Sequence, residues 1–257
     1  MLTVRKIQPK VLLPYIEAFK IYHFEDTTDV QLLPKGVFEM VFQSEHCFQH
    51  NTNYSLGWKL RPRNFVGGLH NQSYTVNSGQ NGNYCIVVEF KPNTAKYFIP
   101  EKLNLFQNAV VDIHELWGND ATTLTNKIDL EKKDELKINL IENFLLQQFS
   151  NSYISIIDKA LNEIFNSKGF TRIEELSKKA WLSKAQFRKR FNEEIGISPI
   201  RYSKIVRVNT AVEMMKTNAY SMTDISYSMG YFDQAHFIKD FKSVVGVSPN
   251  QYQNQMI

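Results

Sequence analysis

The sequence contains little cysteine and no long apolar run. Two cysteines, Cys47 and Cys85, occur among 257 residues and form no CxxC pair, so we expect free structural thiols. No apolar run approaches the roughly 20 residues of a membrane-spanning helix, so no such helix and no membrane partner are expected. The first six residues lack the apolar segment of a signal peptide, which favours a cytoplasmic protein.

Signatures of common enzymes are absent as well. The sequence has no glycine-rich phosphate-binding loop, no GxSxG nucleophile motif and no HExxH zinc motif. His46, Cys47, His50 and His70 lie close in sequence, but their segment is typical of a strand end or loop. Their side chains would not converge there as the ligands of a zinc site do. We therefore expect no catalytic residue, no bound metal and no cofactor.

The net charge of +4 is unevenly distributed along the chain. Residues 1–150 contain 15 Lys and Arg against 16 Asp and Glu, whereas residues 151–257 contain 15 against 10. The basic excess therefore lies wholly in the second part, as it does in proteins that bind phosphates. Many solvated surfaces carry a similar charge, so this excess matters only because it coincides with the motif described next.

A pattern of aromatic, glycine and proline residues occurs twice in the basic part. Within each copy, two phenylalanines four residues apart lie on one face of a helix that a glycine ends. A helix, a turn and a second helix form a helix-turn-helix, whose second helix enters the DNA major groove. The offset is 50 residues here and 49 before the turn, so the second turn has one extra residue. The matched pairs are Phe187 and Phe237, Phe191 and Phe241, Gly196 and Gly246, Ser198 and Ser248, Pro199 and Pro249, and Tyr202 and Tyr252.

Capping signals mark where the helices begin. Thr171–Glu174 and Ser183–Gln186 are typical capping boxes for the two helices of the first motif. Ser221–Asp224 and the N-cap residue Asp233 mark the two helices of the second motif. Between the motifs, residues 200–216 are predicted to form one helix on the order of 25 Å long, which sets the distance between the two recognition helices.

The second copy, from Met229 to Tyr252, resembles the signature of the AraC/XylS family of bacterial transcription regulators. The resemblance covers residues 155–253 and implies a DNA-binding domain at 151–257, with RNA polymerase as a further candidate partner. Where the family often has a basic residue after the tyrosine, this chain has Gln253. The residues that carry the resemblance are Gly230-Tyr231, Asp233-Gln234, His236-Phe237, Phe241-Lys242 and Gly246-Val247-Ser248-Pro249.

Helical geometry predicts which side chains face DNA, because each phenylalanine pair defines a buried face and the opposite face is free. Any single residue of this set could instead be a solvated surface side chain. Contacts with base edges are predicted for Ala185, Arg188, Lys189 and Asn192 in the first motif and for Gln234, Ala235, Ile238 and Lys239 in the second. Contacts with phosphates are predicted for Arg172, Lys184, Ser198, Arg201, Lys242 and Ser248.

The N-terminal part has the alternating pattern of short strands. Residues 37–42 and 84–90 are predicted strands, and residues 92–98 and 112–117 are predicted short helices. Such strands suggest a small barrel or sandwich.

The N-terminal part also resembles, more faintly, the cupin-like N-terminal domains that accompany AraC-type modules. Any ligand pocket in it is expected to be apolar, and core packing is the alternative role of the candidate lining residues. The residues that carry the resemblance are Leu33-Pro34-Lys35-Gly36, Glu39, Gly67-Gly68, Phe90-Lys91-Pro92 and Leu116-Trp117-Gly118. The candidate lining residues of the pocket are Phe38, Trp58, Tyr74 and Phe90.

The segment between these parts divides in two. Residues 120–133 are polar and charged, which favours a linker, and residues 134–149 follow a helical period. The apolar stripe of that helix either docks on its own domain or forms the contact of a homodimer, and the sequence leaves both open. The stripe consists of Leu136, Leu140, Ile141, Phe144, Leu145 and Phe149.

The predicted class is therefore α+β, with a β-rich, cupin-like sensor at 1–118, a linker and helix at 119–150, and an all-α domain with two helix-turn-helix motifs at 151–257. The predicted function is a sequence-specific DNA-binding transcription regulator that places two recognition helices in successive major-groove faces. Its N-terminal domain senses a small-molecule effector, a partner or nothing at all, and the sequence leaves these three open. One alternative is a cupin-type or DNA-repair enzyme with an attached DNA-binding module. A second is a nonspecific architectural DNA-binding protein.

Overall fold

The first part of the chain is built from short strands, as the alternating pattern predicts. The computed structural model describes residues 2–27, 29–44, 48–52, 57–79, 83–150, 155–217 and 219–256. Within these ranges the strands are β1 (Leu2–Ile7), β2 (Ile16–Phe24), β3 (Asp29–Leu32), β4 (Glu39–Gln43), β5 (Gln49–Thr52), β6 (Lys59–Leu60), β7 (Asn64–Gly67), β8 (Tyr74–Asn77), β9 (Asn83–Phe90) and β10 (Val110–Asp112).

The strands form two antiparallel sheets. One has six strands in the order β1-β2-β9-β4-β7-β10, and the other has four in the order β3-β8-β5-β6. Side chains of β9 alternate between two cores. Cys85 and Val87 belong to a cluster between the sheets, whereas Ile86 and Val88 belong to the larger cluster that includes the helices. Because both faces of β9 are covered, its sequence is almost continuously apolar.

The first long helix replaces the predicted linker. Helix α1 (Ile113–Leu130) begins at its N-cap Asp112, kinks at Gly118, and runs through residues 120–130. The linker prediction is therefore wrong for these residues. The burial of Ala121, Leu124 and Ile128 explains why, since residues at this spacing share one face of a helix. The residues between them are polar, so the composition of the segment indicated a linker although its apolar residues have helical spacing.

The second helix is confirmed and docks mainly on its own chain. Helix α2 (Asp134–Gln148) buries Ile141 and Leu145 completely. The carboxylate of Glu142 accepts hydrogen bonds from the backbone N–H groups of Val11, at 2.7 Å, and Leu12, at 2.9 Å. These contacts fix α2 beside the segment that joins β1 and β2, and they support the docking interpretation for the inner part of the stripe.

Seven helices follow among the residues described after position 150, and they confirm the α-helical second part. Each of the two motifs is a short helix followed by a longer one, with one 18-residue helix between the motifs. The helices are α3 (Ile156–Asn166), α4 (Ile173–Lys179), α5 (Lys184–Ile195), α6 (Pro199–Lys216), α7 (Met222–Ser228), α8 (Gln234–Val245) and α9 (Pro249–Met256).

The two parts share one apolar core. A single cluster of buried residues includes Phe38 and Phe106 from the first part and Phe191 and Tyr202 from the second. A short 3-10 turn, Leu103–Phe106, packs against α5. The recognition helix of the first motif therefore rests on the N-terminal part. The domain boundaries at 118 and 150 stay predictions.

Candidate nucleic-acid interface

The first motif consists of α4 and α5 and the turn between them. Ser183 caps α5, since its side chain accepts a hydrogen bond from the Gln186 N–H at 3.2 Å while the Gln186 side chain accepts one from the Ser183 N–H at 3.0 Å. Phe187 and Phe191 are fully buried, and their ring centroids lie 5.8 Å apart. Gly196 ends the helix with a positive φ of 96°, a conformation that glycine adopts without strain.

The second motif repeats this arrangement in α7 and α8. Asp233 caps α8 by accepting a hydrogen bond of 2.7 Å from the His236 N–H, and Gly246 ends the helix with φ 90°. The rings of Phe237 and Phe241 lie 5.7 Å apart, and Tyr252 packs on Phe241 at 5.8 Å. The sequence repeat is therefore a structural repeat, with the same aromatic ladder under each recognition helix.

The turns differ as predicted. Residues 180–183 join the helices of the first motif and residues 229–233 join those of the second, which confirms the extra residue. Trp181 and Gly230 occupy matching positions, with φ values of 55° and 66°. One capping prediction is wrong, because α4 begins after Arg172, whose side chain makes no capping hydrogen bond, and Thr171 lies outside the cap position.

The predicted base-reading residues share the uncovered faces of α5 and α8. All are exposed except Asn192, which is half-buried, and Ile238 is an apolar member at 39% exposure. Their contacts with DNA stay predictions. The residues on these faces are Ala185, Arg188, Lys189 and Asn192 on α5, and Gln234, Ala235, Ile238 and Lys239 on α8.

The predicted phosphate-binding residues have more varied surroundings. Arg172 and Lys242 are exposed. Lys184 forms an exposed ion pair of 2.6 Å with Glu174, and this interaction lowers the pKa of the Glu174 carboxyl. Such surface pairs are weak, so Lys184 can exchange Glu174 for a phosphate.

The two predicted phosphate-binding serines act as helix caps. The Ser198 hydroxyl accepts a hydrogen bond of 3.3 Å from the Arg201 N–H at the start of α6. The Ser248 hydroxyl accepts one of 3.4 Å from the Gln251 N–H at the start of α9. Both serines are half-buried at helix N-termini, where the helix dipole also favours a phosphate.

Arg201 is turned towards the N-terminal part. Its guanidinium donates hydrogen bonds to the backbone carbonyl oxygens of Asn71 and, at 2.9 Å, of Ser243. In this conformation the side chain links the two parts of the chain. Nothing in the sequence pattern around Arg201 signals this contact, because the partner carbonyl of Asn71 lies 130 residues away.

Asp240 lies on α8 but does not belong to its uncovered face, since the residue is 6% exposed. Its carboxylate forms a 2.6 Å ion pair with Lys204 and accepts a 3.3 Å hydrogen bond from the Tyr231 hydroxyl. Asp240 follows Phe237 by three residues and so shares its buried face. It therefore anchors α8 to α6.

A cavity of about 110 Å³ lies between the two sheets. Its walls are mainly apolar, with Val41, Phe65 and Val76 among the lining residues. Of the four aromatic residues predicted to line a pocket, Tyr74 does so. Phe38 and Phe90 are core residues of the larger cluster, and Trp58 is 42% exposed.

The predicted histidine and cysteine cluster falls partly outside the described residues, since His46 and Cys47 lie there. His50 is on β5, and Cys85 is buried, which raises the pKa of its thiol to about 12. Among the residues that the structure describes, no group of three His, Cys, Asp or Glu side chains could hold a metal. Within the same ranges, no helix is both long and apolar enough to cross a bilayer.

Two family models match the chain. Residues 176–255 match a model described as "Helix-turn-helix domain", which is of the AraC type. Residues 5–112 match a model described as "Domain of unknown function (DUF6597)". The first match covers both motifs almost completely, and the second covers the two sheets.

Curated relatives match parts of the chain. An uncharacterized HTH-type transcriptional regulator of Haemophilus influenzae is 32% identical over 123 residues, which is 46% of this chain and 39% of that protein. The HTH-type transcriptional regulator MtrA of Neisseria gonorrhoeae is 30% identical over 83 residues, which is 32% of this chain and 28% of that protein. These matches therefore span less than half of either relative.

One solved structure extends the likeness to the whole chain. ToxT from Vibrio cholerae superposes with a TM-score of 0.51 and 14% identity, covering 99% of this chain and 97% of that one. At this identity the likeness shows a shared fold, a β-rich part followed by a helical part.

Proposed function

Because residues 176–255 match a helix-turn-helix model of the AraC type, we propose that the chain is a transcription regulator that binds one DNA sequence specifically and regulates transcription from it. The observation that carries the proposal is that both motifs have the same construction. In each motif a pair of packed phenylalanines holds the recognition helix on the core, and the opposite face of that helix is uncovered and mainly polar.

The geometry supports reading of two neighbouring groove faces. Helix α6 has 18 residues and is about 27 Å long at 1.5 Å per residue. This length approaches the roughly 34 Å between major-groove faces on one side of a duplex. Arg188 and Lys189 would donate hydrogen bonds to guanine edges, and Lys242 would pair with a phosphate.

Selection of bound sequences from a random DNA pool tests sequence-specific binding directly. The matched variants are Lys189→Ala and Lys239→Ala, with Lys159→Ala on α3 as a control that removes the same charge away from both recognition faces. We propose that the first motif dominates specificity, because α5 carries three side chains that can bond base edges. Lys189→Ala should then relax sequence preference by roughly 1–3 kcal/mol at one half of the site.

Lys239→Ala should instead lower affinity across all sequences, and Lys159→Ala should change neither quantity. If Lys239→Ala relaxes preference more than Lys189→Ala does, the order of the two motifs is reversed. If competitor DNA of random sequence displaces the selected site as well as the site itself does, the protein is an architectural DNA-binding protein. The relatives' names as regulators give no support to a cupin-type or DNA-repair enzyme, and we propose no catalytic activity.

We further propose a cytoplasmic homodimer that works with RNA polymerase. The observation behind the dimer is that Leu136 and Leu146 of α2 are 42% and 38% exposed, so two large apolar side chains of this helix lie on its uncovered side. Replacing both with lysine should convert a dimer to monomers in sedimentation without lowering the melting temperature. A dimer that survives both changes would exclude α2 as the contact.

A further inference from the structure

Arg61 lies in the wall of the cavity between the sheets, almost completely buried. The residue is 7% exposed, and its guanidinium carbon lies 5.1 Å from the ring centroid of Phe65 and 4.8 Å from that of Tyr74. Its Nε and Nη2 atoms have no hydrogen-bond partner among the described residues. No carboxylate in the described ranges forms an ion pair with it. The contacts that the described residues make with the guanidinium are therefore those of two aromatic rings, and two of its three nitrogens have no partner.

The neighbouring polar groups leave this charge uncompensated. His70 also lines the cavity, its ring lies 4.2 Å from that of Tyr74, and its buried Nε2 has no partner among the described residues. Burial, assisted by Arg61, lowers the pKa of His70 to about 3, so the imidazole is neutral. His50 has its pKa lowered for the same two reasons.

The other charged groups near the cavity neutralise one another. Lys35 pairs with Glu39 at 2.7 Å and with Glu89 at 3.4 Å, and Lys20 pairs with Glu89. Two ammonium groups and two carboxylates therefore form a closed cluster. Arg61 therefore differs from Lys35, the other cationic residue of the described cavity wall, because it has no acidic partner there.

A buried guanidinium in this state is unusual, because arginine stays protonated in proteins and buried charges are normally paired. An anion supplied from outside the chain would satisfy Arg61 Nε and Nη2 together, since the planar guanidinium matches the two oxygens of a carboxylate. His70 Nε2 offers a further polar contact beside it.

We propose that the cavity binds a small monocarboxylic acid, with the carboxylate on Arg61 and the hydrocarbon part among the apolar side chains between the sheets. One uncompensated positive charge suits a monoanion better than a phosphate dianion. The apolar walls disfavour a sugar or nucleotide. The volume of about 110 Å³ favours an acid with a short hydrocarbon chain over one with a long chain.

The site also has a route to the DNA-binding part, and this consequence rests on the proposed function. The cavity wall includes residues 33–37, whose backbone contacts α6 directly. Pro34 accepts a 2.9 Å hydrogen bond from Asn209, and Gly36 accepts one of 2.9 Å from Tyr202. An acid in the cavity would therefore contact residues 33–37, the segment that forms hydrogen bonds with α6.

Calorimetry and thermal melting of the full chain with hexanoate and hexanamide test the proposal, because the two probes differ only in the charged group. Hexanoate should bind roughly tenfold or more tightly than hexanamide and should raise the melting temperature. Arg61→Met should abolish this preference, yet melt without ligand at or above the parent temperature, because it removes an unpaired buried charge. Arg61→Lys should keep part of the preference.

Arg63→Met is the matched control, since Arg63 lies two residues away and forms a 2.5 Å ion pair with Asp129. It should keep the preference for hexanoate. The proposal is overturned if the parent binds both probes equally, if no straight-chain acid from butanoate to octanoate binds at millimolar concentrations, or if Arg61→Lys and Arg61→Met both bind hexanoate like the parent. Specific DNA binding measured on the same samples without acid separates the two ideas, since a chain that binds DNA but no acid refutes this inference alone.

Discussion

The hydroxyl of Tyr202 donates a hydrogen bond of 2.9 Å to the carbonyl oxygen of Gly36. Tyr202 lies in the first turn of α6, and its ring packs on Phe191 of the first recognition helix at 5.9 Å. Gly36 lines the cavity between the sheets and has φ 74°, where a side chain would be strained and would meet the Tyr202 hydroxyl. The Tyr202 side chain thus connects the cavity wall, helix α6 and the recognition helix α5.

Removing this hydroxyl should destabilise the protein without disturbing its packing. Tyr202→Phe leaves the buried Gly36 carbonyl without its donor, which should cost about 1 kcal/mol in the free energy of unfolding measured with urea. Tyr252→Phe is the control, because Tyr252 occupies the matching place in the second motif and its hydroxyl makes no hydrogen bond with the described residues. Equal stability of the two variants would show that the Tyr202 hydrogen bond contributes nothing to the free energy of unfolding.

Arg201 should respond differently from the other phosphate candidates. In the full chain its guanidinium is bound to the carbonyls of Asn71 and Ser243, so Arg201→Ala should leave DNA affinity unchanged or slightly higher. Lys242→Ala, at an exposed position on α8, should lower affinity and reduce the salt slope by about one unit. Titrations at several salt concentrations measure both. A loss with Arg201→Ala equal to that with Lys242→Ala would mean that Arg201 leaves Asn71 for a phosphate.

Trp181 should be replaceable by glycine with a gain in stability. The residue is 92% exposed and has φ 55°, a conformation that costs a non-glycine residue roughly 1–2 kcal/mol. Glycine loses more chain entropy on folding, so the net gain of Trp181→Gly should be about 0.5–1 kcal/mol in chemical denaturation. Lys178→Gly, inside α4, should instead lose about 1 kcal/mol. Destabilisation by Trp181→Gly would reveal a contact of the indole that offsets the strain.

His70 should make the fold sensitive to acid. Burial and Arg61 lower its pKa from 6.5 to about 3 in the folded chain, so the unfolded chain binds the proton first. Stability is therefore fully present above pH 6.5 and falls as the pH drops towards 3, with a slope of up to about 1.4 kcal/mol per pH unit from this residue. His70→Gln should remove that slope, as seen by urea unfolding at pH 7, 6 and 5. An unchanged pH profile would assign the acid sensitivity to other groups, such as His50.

Local patterns made the DNA-binding part predictable. The spacing of Phe187 and Phe191, the capping box at Ser183 and the terminating Gly196 each act within a few residues, and all are confirmed. The same holds for their counterparts in the second motif. Even the extra turn residue follows from the change in offset, because helix and turn geometry depend on neighbours along the chain.

Long-range packing explains what the sequence concealed. The polar residues of 120–130 suggested a linker because the stripe of Ala121, Leu124 and Ile128 is thin and its partner α2 lies further along the chain. The burial of Asp240 has no local signal in the sequence, because its partner Lys204 belongs to another helix. Arg61 carries no sequence signal at all, since its isolation depends on which residues the two sheets bring around it.

The apolar core that runs without interruption from the sheets into the recognition helices limits how this protein can be recombined with its relatives. The residues that support α5, such as Phe38 and Leu103, come from the N-terminal part. A chimera that keeps only the helices would inherit half of an interface, so a working graft must carry the segments around residues 34–38 and 103–106 with it.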